Sequence, residues 1–324
     1  MSAVGGAAII VCSIALAMAA YFKLFGDFFH RLAIYQVLAA MLYSVVCVLQ
    51  VVFINYEKNP SVYRPICVIE GFMLEYTMWI KLMFTFCLTF HLFFYLICTR
   101  CRERDINFNR IEKIYILVSM FGPLLFTWIP FVSINSSGII YGLAGAWCWI
   151  QNWQNDTASD NLPQGEYEQY FLLYGPALIC LLLSGVAVVV IIITIIRRAY
   201  NCCGYRDSCS NWEQIESKNH LKVMLPLVSY PILSLLFYIP AFINRVIGSA
   251  SKHPNTISFM WSAISLPLVG LLAGVSLIIH IIILKFPKTQ GKSVHEEILD
   301  SIDKGERKRL VHSGKKQGYK TTSP

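Results

Sequence analysis

Long apolar runs recur along this chain, most of them close to the ~20 residues that an α-helix needs to cross a bilayer. Only 14% of the 324 residues are charged, whereas a soluble domain of this size carries about a quarter. We therefore predict an all-α integral membrane protein, with a seven-transmembrane helix bundle over residues 1–285 and a tail over 286–324. The predicted helices lie at about 4–22, 32–55, 67–97, 113–134, 169–196, 221–245 and 257–284.

The first run has an alternative interpretation as a cleaved signal peptide. Ala17-Met18-Ala19 resembles a signal-peptidase site. However, no basic residue precedes the run, and signal peptides begin with a positively charged region. We favour a first helix that is retained.

The division of lysine and arginine among the connecting segments predicts the orientation. If the amino terminus is outside, 22 of the 27 basic residues fall in the inner segments 23–31, 98–113, 197–222 and 285–324. The net charge of +8 is then mainly a topology signal, and we predict no binding of nucleic acid.

Two glycosylation sequons support the same orientation. Asn135 and Asn155 both begin Asn-x-Ser/Thr motifs in the predicted outer segment between helices four and five. Because Asn135 lies near the predicted membrane edge, we favour Asn155 as the glycan carrier.

The eleven cysteines divide by compartment. Only Cys67 and Cys148 reach the oxidising side, where a disulfide persists, so we predict that they are bonded. Cys98-x-x-Cys101 and Cys202-Cys203 face the reducing side. With Cys209 they have the residue types of a zinc site. We favour juxtamembrane thiols that are candidates for palmitoylation, and we predict no metal.

Several stretches resemble one receptor family. Ala144-Gly-Ala-Trp-Cys148-Trp-Ile150 is similar to the second outer loop of the cyclic-AMP-receptor-like receptors, a group related to the secretin and adhesion receptors. The resemblance covers about 25–285. It also includes Arg31-Leu-Ala-Ile-Tyr35, Trp128-Ile-Pro130, Pro226-Leu-Val-Ser-Tyr-Pro231, Asn244-Arg245 and Trp261 to Gly270.

The resemblance implies a G-protein-coupled receptor of the plasma membrane that acts on a heterotrimeric G protein and catalyses no reaction itself. The rhodopsin-like Asp-Arg-Tyr, Cys-Trp-x-Pro and Asn-Pro-x-x-Tyr motifs are absent from helices three, six and seven. Since few residues precede helix one, we expect the extracellular ligand to bind within the bundle or to its loops. No cofactor is predicted, because 257–284 has no lysine for a retinal Schiff base.

Charged residues in predicted helix three are the first candidates for ligand binding, since intramembrane charges are costly. Lys81 lies ~21 Å along the helix from Cys67, near the middle of the bilayer. We predict that Glu75 and Lys81 face a polar pocket lined by Trp79, Arg245 and Trp261. Lys81 and Arg245 indicate an anionic small molecule. Alternatively, Lys81 pairs with an acid or a backbone carbonyl and only fixes helix packing.

Helix six contains three prolines, which remove backbone donors and favour a bend. We predict a hinge around Pro231 whose movement opens an inner cleft for the G protein. By analogy with the family, His91, Tyr95 and Arg100 would hold the inactive state. The alternative for His91 is a packing residue.

The tail and a rival class complete the sequence-based hypotheses. Ser293-Val-His-Glu296 resembles a capping box, and we predict an amphipathic helix on the membrane lipid, followed by disorder beyond about 311. A transporter or channel without G-protein coupling remains the alternative function. Solute flux would distinguish it from a receptor.

Overall fold

Seven helices long and apolar enough to span a membrane are present among the residues that the structure describes. The computed structural model describes residues 2–26, 28–54, 60–97, 108–132, 141–144, 147–150, 167–204, 226–243 and 256–285. The predicted seven-helix membrane fold is therefore confirmed. The helices are α1 (Ser2–Tyr21), α2 (Phe28–Ile54), α3 (Pro60–Ile97), α4 (Phe108–Phe121), α5 (Gly175–Gly204), α6 (Pro226–Ile243) and α7 (Thr256–Lys285).

The helices reach beyond the apolar runs from which they were predicted. α3 begins at Pro60 rather than at 67, and α5 continues to Gly204 rather than ending at 196. Proline suits the first turn of a helix, where its missing N–H has no intrahelical acceptor. Apolar length marks the part of a helix that lies in lipid, and hydrogen bonding continues into the polar ends.

The fourth membrane span is interrupted, although the sequence predicted one helix over 113–134. After α4 come a separate helical turn, Leu124–Thr127, and a 3₁₀ turn, Ile129–Phe131. Pro123 and Pro130 cannot donate the backbone hydrogen bonds that would continue an α-helix. The amide of Phe131 bonds instead to the carbonyl of Trp128, which leaves the Thr127 carbonyl for another donor.

A β-hairpin that the sequence analysis did not predict packs on the start of α3. Strand β1 (Tyr141–Ala144) pairs antiparallel with β2 (Trp147–Ile150), and Leu143 is opposite Cys148. The backbone of Trp149 passes so close to Gly71 that a Cβ there would lie 3.2 Å from the Trp149 Cα. We call this end of the bundle the hairpin end.

Small residues bring α7 close to α1 and α2. A Cβ on Gly274 would lie 3.1 Å from the backbone nitrogen of Cys12, and one on Gly270 would lie 2.9 Å from the Ser44 hydroxyl. The Cys12 thiol donates to the Gly270 carbonyl at 3.2 Å. Such contacts are typical of membrane helices, which associate through close backbone approach.

Candidate functional site

A cavity of about 70 Å³ lies between the hairpin and helices α2, α3, α5, α6 and α7. We call it the hairpin cavity. Most of its lining is aliphatic or aromatic, as is usual for small-molecule sites. The lining residues are Tyr43, Leu74, Glu75, Met78, Trp79, Leu82, Trp149, Leu173, Tyr174, Ala177, Leu181, Tyr238, Ala241, Phe242, Ala263 and Leu266.

An aromatic chain forms one side of this cavity and joins three elements. The rings of Trp149 and Tyr174 meet edge to face with centroids 5.8 Å apart, and Tyr174 meets Phe242 in the same way at 5.5 Å. Tyr174 belongs to a π-helical segment, Gln169–Tyr174, that precedes α5. π-Helical turns are rare and often occur at functional sites. The hairpin, α5 and α6 are thus coupled through ring contacts at the cavity.

The disulfide fixes the hairpin on the bundle. Cys67 in α3 and Cys148 in β2 are bonded, as the sequence predicted, and both are buried. Gln50 of α2 adds a second connection by donating to the Cys148 carbonyl at 2.9 Å. Together these bonds hold Trp149 against the cavity.

Glu75 lines the cavity and is connected through Tyr141 to the interrupted fourth span. The Tyr141 hydroxyl oxygen lies 2.8 Å from Oε2 of Glu75 and 2.9 Å from the carbonyl oxygen of Thr127. That carbonyl is available because the helix breaks at Pro130. One hydroxyl therefore links α3, β1 and the fourth span.

The number of hydrogen atoms available for the two contacts of the Tyr141 hydroxyl indicates that Glu75 is protonated. Burial raises the pKa of the Tyr141 hydroxyl well above its ordinary value, so the group carries one hydrogen. The Thr127 carbonyl only accepts, and one hydrogen cannot serve two acceptors. Both contacts are hydrogen bonds if Tyr141 donates to Thr127 and a protonated Glu75 donates to Tyr141.

Three polar atoms on side chains lining the cavity have no hydrogen-bond partner among the described residues. They are Oε1 of Glu75, Nε1 of Trp79 and the hydroxyl of Tyr238. A buried polar atom left unpaired costs about 1–3 kcal/mol. The cavity thus combines an apolar surface with a few polar groups able to bind a small molecule.

Lys81 lies behind the cavity wall rather than in it. Its ammonium donates to the Leu266 carbonyl at 3.3 Å and sits 4.1 Å from the Tyr43 ring centroid and 5.1 Å from that of Tyr238. The side chain is fully buried, and these three partners all line the cavity. Lys81 therefore pairs with a backbone carbonyl, and its three contacts join α3 to α2, α6 and α7.

The other predicted ligand residues are not all brought to the cavity. Glu75 and Trp79 line it, whereas Trp261 is 62% exposed and is not part of the lining. At 100° per residue, Trp261 lies about 160° from Ala263 and about 140° from Leu266, the lining residues of α7. It therefore faces away. Arg245 lies outside the described residues.

His91 and Tyr95, predicted activation residues, meet in an aromatic cluster at the end of the bundle opposite the hairpin. The His91 ring lies 4.5 Å from that of Phe28 and 5.2 Å from that of Phe29, which also contacts Tyr95 at 5.0 Å. The Tyr115 hydroxyl is 3.4 Å from Nδ1 of His91. Pro231 is buried in α6.

Several predictions from the sequence concern residues outside the described part of the chain. They concern Arg100, the sequons at Asn135 and Asn155, and the amphipathic tail helix. Within the described part of the chain, no group of three or more His, Cys, Asp or Glu side chains is placed to hold a metal ion.

A salt bridge that sequence reasoning missed connects α2 to α4 near this aromatic cluster. The guanidinium of Arg31 contacts both carboxylate oxygens of Glu112, at 2.7 Å in the salt bridge, and donates to the Phe25 carbonyl. The Tyr35 hydroxyl donates to Glu112 at 2.8 Å. The available signal in the sequence was a charged residue near the start of each helix, Arg31 in α2 and Glu112 in α4. A single sequence does not show that these two residues contact each other.

Comparisons with known proteins agree with this architecture. A family model described as "Slime mold cyclic AMP receptor" matches residues 4–286. Among solved structures, the chain is similar to squid rhodopsin with a TM-score of 0.64 and 13% identity, over 88% of this chain and 83% of that one. At that identity the likeness concerns the fold alone. No curated protein matches the sequence.

Proposed function

Because the chain belongs to the slime mold cyclic AMP receptor family, we propose that it is a plasma-membrane receptor that transmits binding of an extracellular small molecule to a heterotrimeric G protein. The ligand binds in the hairpin cavity, and the G protein binds at the opposite end. Kinship with the secretin and adhesion receptors, implied by the sequence resemblance, remains part of the proposal, but no step depends on it.

The observation that carries the proposal is the hairpin cavity itself. It is roofed by a disulfide-bonded hairpin and lined by five of the seven helices. A ligand there contacts elements that come from distant parts of the sequence. It can therefore favour one arrangement of the helices over another, which is what a receptor requires.

Orientation follows from charge and oxidation. The segments rich in lysine and arginine belong inside, and a disulfide persists on the oxidising side. Both considerations support a hairpin end that faces the exterior. The opposite end, with Arg31, Glu112 and His91, then faces the cytoplasm and the G protein.

Helix α6 offers the route between the two ends. Tyr238, Ala241 and Phe242 line the cavity, and Pro231 and Ser234 lie further along the same helix. The Ser234 and Thr85 hydroxyls are 3.5 Å apart, so α6 contacts α3 below the cavity. A ligand that moves the cavity-lining part of α6 can shift the opposite end of this helix about Pro231.

The family description and the lining of the cavity bear differently on the charge of the ligand. The family description names cyclic AMP, an anion, and the sequence-based hypothesis was also an anion. Among the described lining residues, however, there is no lysine or arginine. The hypothesis of an anionic ligand therefore depends on Arg245, which lies outside the described residues.

Nucleotide exchange tests the proposal directly. Purified receptor in lipid nanodiscs should accelerate GTPγS binding to at least one class of Gα subunit. A screen of extracellular metabolites, with cyclic AMP included, should find a compound that increases the rate.

Two variants of α6 locate the effect of that compound. Ala241→Phe narrows the cavity and should abolish the increase in rate, while Ile239→Phe on the exposed face of α6 should preserve it. Solute or ion flux without exchange on any Gα class would favour a transporter or channel.

A further inference from the structure

We propose that the ligand of the hairpin cavity is a small aromatic amine whose ammonium group binds the free oxygen of Glu75. The inference depends on the proposed ligand site, but not on coupling to a G protein. It replaces an anion with a cation as the expected ligand class.

Glu75 is the ionisable acid in the described lining of the cavity. Its side chain is fully buried. Oε2 is engaged with Tyr141, whereas Oε1 has no hydrogen-bond partner among the described residues. An ammonium is the strongest donor for such an oxygen, because hydrogen bonds between charged groups are shorter and stronger than neutral ones. On binding, the carboxyl proton passes to water, the Tyr141 hydroxyl turns its hydrogen from the Thr127 carbonyl to Oε2, and the ammonium donates to Oε1 of the resulting carboxylate.

The aromatic walls independently favour a cation. Trp149, Tyr174 and Phe242 form a continuous edge-to-face chain along the cavity, and Tyr43 and Tyr238 lie in its lining. Ring faces attract ammonium groups, and aromatic cages are a recurrent means of binding them. The unpaired Nε1–H of Trp79, one helical turn from Glu75, is available for an acceptor on the ligand body.

The lysine near the cavity does not counter this preference. The ammonium of Lys81 already binds the Leu266 carbonyl and the Tyr43 and Tyr238 rings, which separate it from the cavity. An anion would have to displace these groups to reach it. It would also face Oε1 of Glu75, an acceptor oxygen with no hydrogen to donate to an anion.

Matched pairs of probes with one ring system and opposite charge test the inference. Purified full-length receptor is titrated with tryptamine, tyramine, phenethylamine and histamine. The carboxylate counterparts are indole-3-acetate, 4-hydroxyphenylacetate, phenylacetate and imidazole-4-acetate, and cyclic AMP is a further anion. Binding is read from ligand-induced thermal stabilisation. At least one amine should bind, and should do so at least about 10-fold more tightly than its carboxylate counterpart, since a charge-assisted bond contributes on that order.

Variants then locate the contact. Glu75→Gln should weaken the amine about 10-fold or more, whereas Glu70→Gln should leave its affinity unchanged, because Glu70 is on the same helix but outside the described lining. Lys81→Met should also have no effect on amine affinity. If Glu75→Gln does not fold, Phe242→Leu, which removes one aromatic wall, carries the test and should weaken the amine.

Several outcomes overturn the inference: tighter binding of a carboxylate or of cyclic AMP, no amine binding, or equal affinity in the Glu75→Gln variant. Binding and nucleotide exchange are measured separately. An amine that binds without promoting exchange supports this inference and counts against the proposed coupling. Nucleotide exchange promoted by an anion supports the proposed coupling and counts against the inference of an amine ligand.

Discussion

At the scale of single residues, the surroundings of the Lys81 ammonium explain how a charge is accommodated within the membrane. One carbonyl and two tyrosine rings contact it, and each belongs to a different helix. The described salt bridges do not include it. A buried charge held by dipoles and ring faces contributes little net stability, because desolvation offsets the attraction.

Replacing Lys81 by Met should therefore change the free energy of unfolding by less than about 2 kcal/mol, since lost contacts are offset by a smaller desolvation cost. Chemical or thermal unfolding of the purified receptor measures the change. Lys81→Glu, the control, should be strongly destabilising because it places an anion against a carbonyl oxygen. A loss of more than about 4 kcal/mol in Lys81→Met would indicate an ion pair instead.

The proton assigned to Glu75 gives a second residue-scale prediction. Infrared difference spectra between wild type and Glu75→Gln should show the loss of one protonated-carboxyl band. Glu75→Gln should fold, since an amide can donate to the Tyr141 oxygen as the protonated acid does.

Tyr141→Phe removes the shared hydroxyl and leaves the Glu75 carboxyl and Thr127 carbonyl unpaired. It should cost about 1–3 kcal/mol of stability.

Absence of the carboxyl band from the infrared difference spectrum of wild type and Glu75→Gln would show that Glu75 is ionised. It would contradict the assignment of a proton to Glu75.

Residue-level prediction from the sequence was possible where position along one helix was sufficient. The spacing from Cys67 placed Lys81 deep in α3, and Glu75 and Trp79 line the cavity. It did not succeed where direction depended on other helices. The partner of Glu75 is 66 residues away in a strand, and the rotation of α7 turns Trp261 away from the cavity.

At the scale of elements, the hairpin depends on close approach to α3. An added Cβ on Gly71 would lie 3.0 Å from the Tyr141 ring and 3.3 Å from the backbone nitrogen of Trp149. Neither strand can retreat easily, because Cys148 is bonded to Cys67 four residues before Gly71.

Gly71→Ala should accordingly cost about 1–3 kcal/mol, the usual range for overpacking. Gly6→Ala in α1 is the matched control, since nothing lies within 4 Å of the added atom. It should be neutral or stabilising. Thermal denaturation of the two variants and the wild type compares the effects. Equal stability of both variants would mean that the hairpin does not press on α3.

Proline in α6 gives an element-scale prediction about signalling. Pro231→Ala restores an N–H that can bond to the Leu227 carbonyl and straighten the helix. We expect a variant that is at least as stable as the wild type but couples less efficiently. Recruitment of an engineered G protein at saturating agonist measures this efficiency. Pro240→Ala, nearer the end of α6, is the control. Unaltered recruitment by Pro231→Ala would locate the hinge elsewhere.

Elements were predictable in proportion to their apolar length. Seven long runs were sufficient to identify seven helices. The hairpin was not predictable in this way, because each strand has only four residues and the pairing of the strands depends on contacts with α3. The break in the fourth span had a local signal in Pro123 and Pro130, but hydropathy does not register it.

At the scale of the whole molecule, α3 packs against α2, α4, α5 and both strands of the hairpin. It carries the disulfide to the hairpin, Glu75 at the cavity, Lys81 toward α2, α6 and α7, and His91 at the opposite end. Under the proposed function, a signal that begins at the cavity has a continuous set of packed groups through which to reach the opposite end of the bundle. Spatial continuity alone does not establish coupling, which the α6 variant tests.

Topology is the last prediction, since every assignment of outside and inside rests on it. An odd number of spans places the two ends of the chain on opposite sides, and the 22 basic residues of the four predicted inner segments predict a cytoplasmic tail. An amino-terminal epitope tag should therefore bind antibody on intact cells, and a carboxy-terminal tag only after permeabilisation. Glycosidase treatment should increase the mobility of wild type but less so that of Asn155→Gln, and Cys67 and Cys148 should resist thiol labelling until reduced. Both tags on one side, or a free thiol at either cysteine before reduction, would remove the basis for an extracellular hairpin cavity.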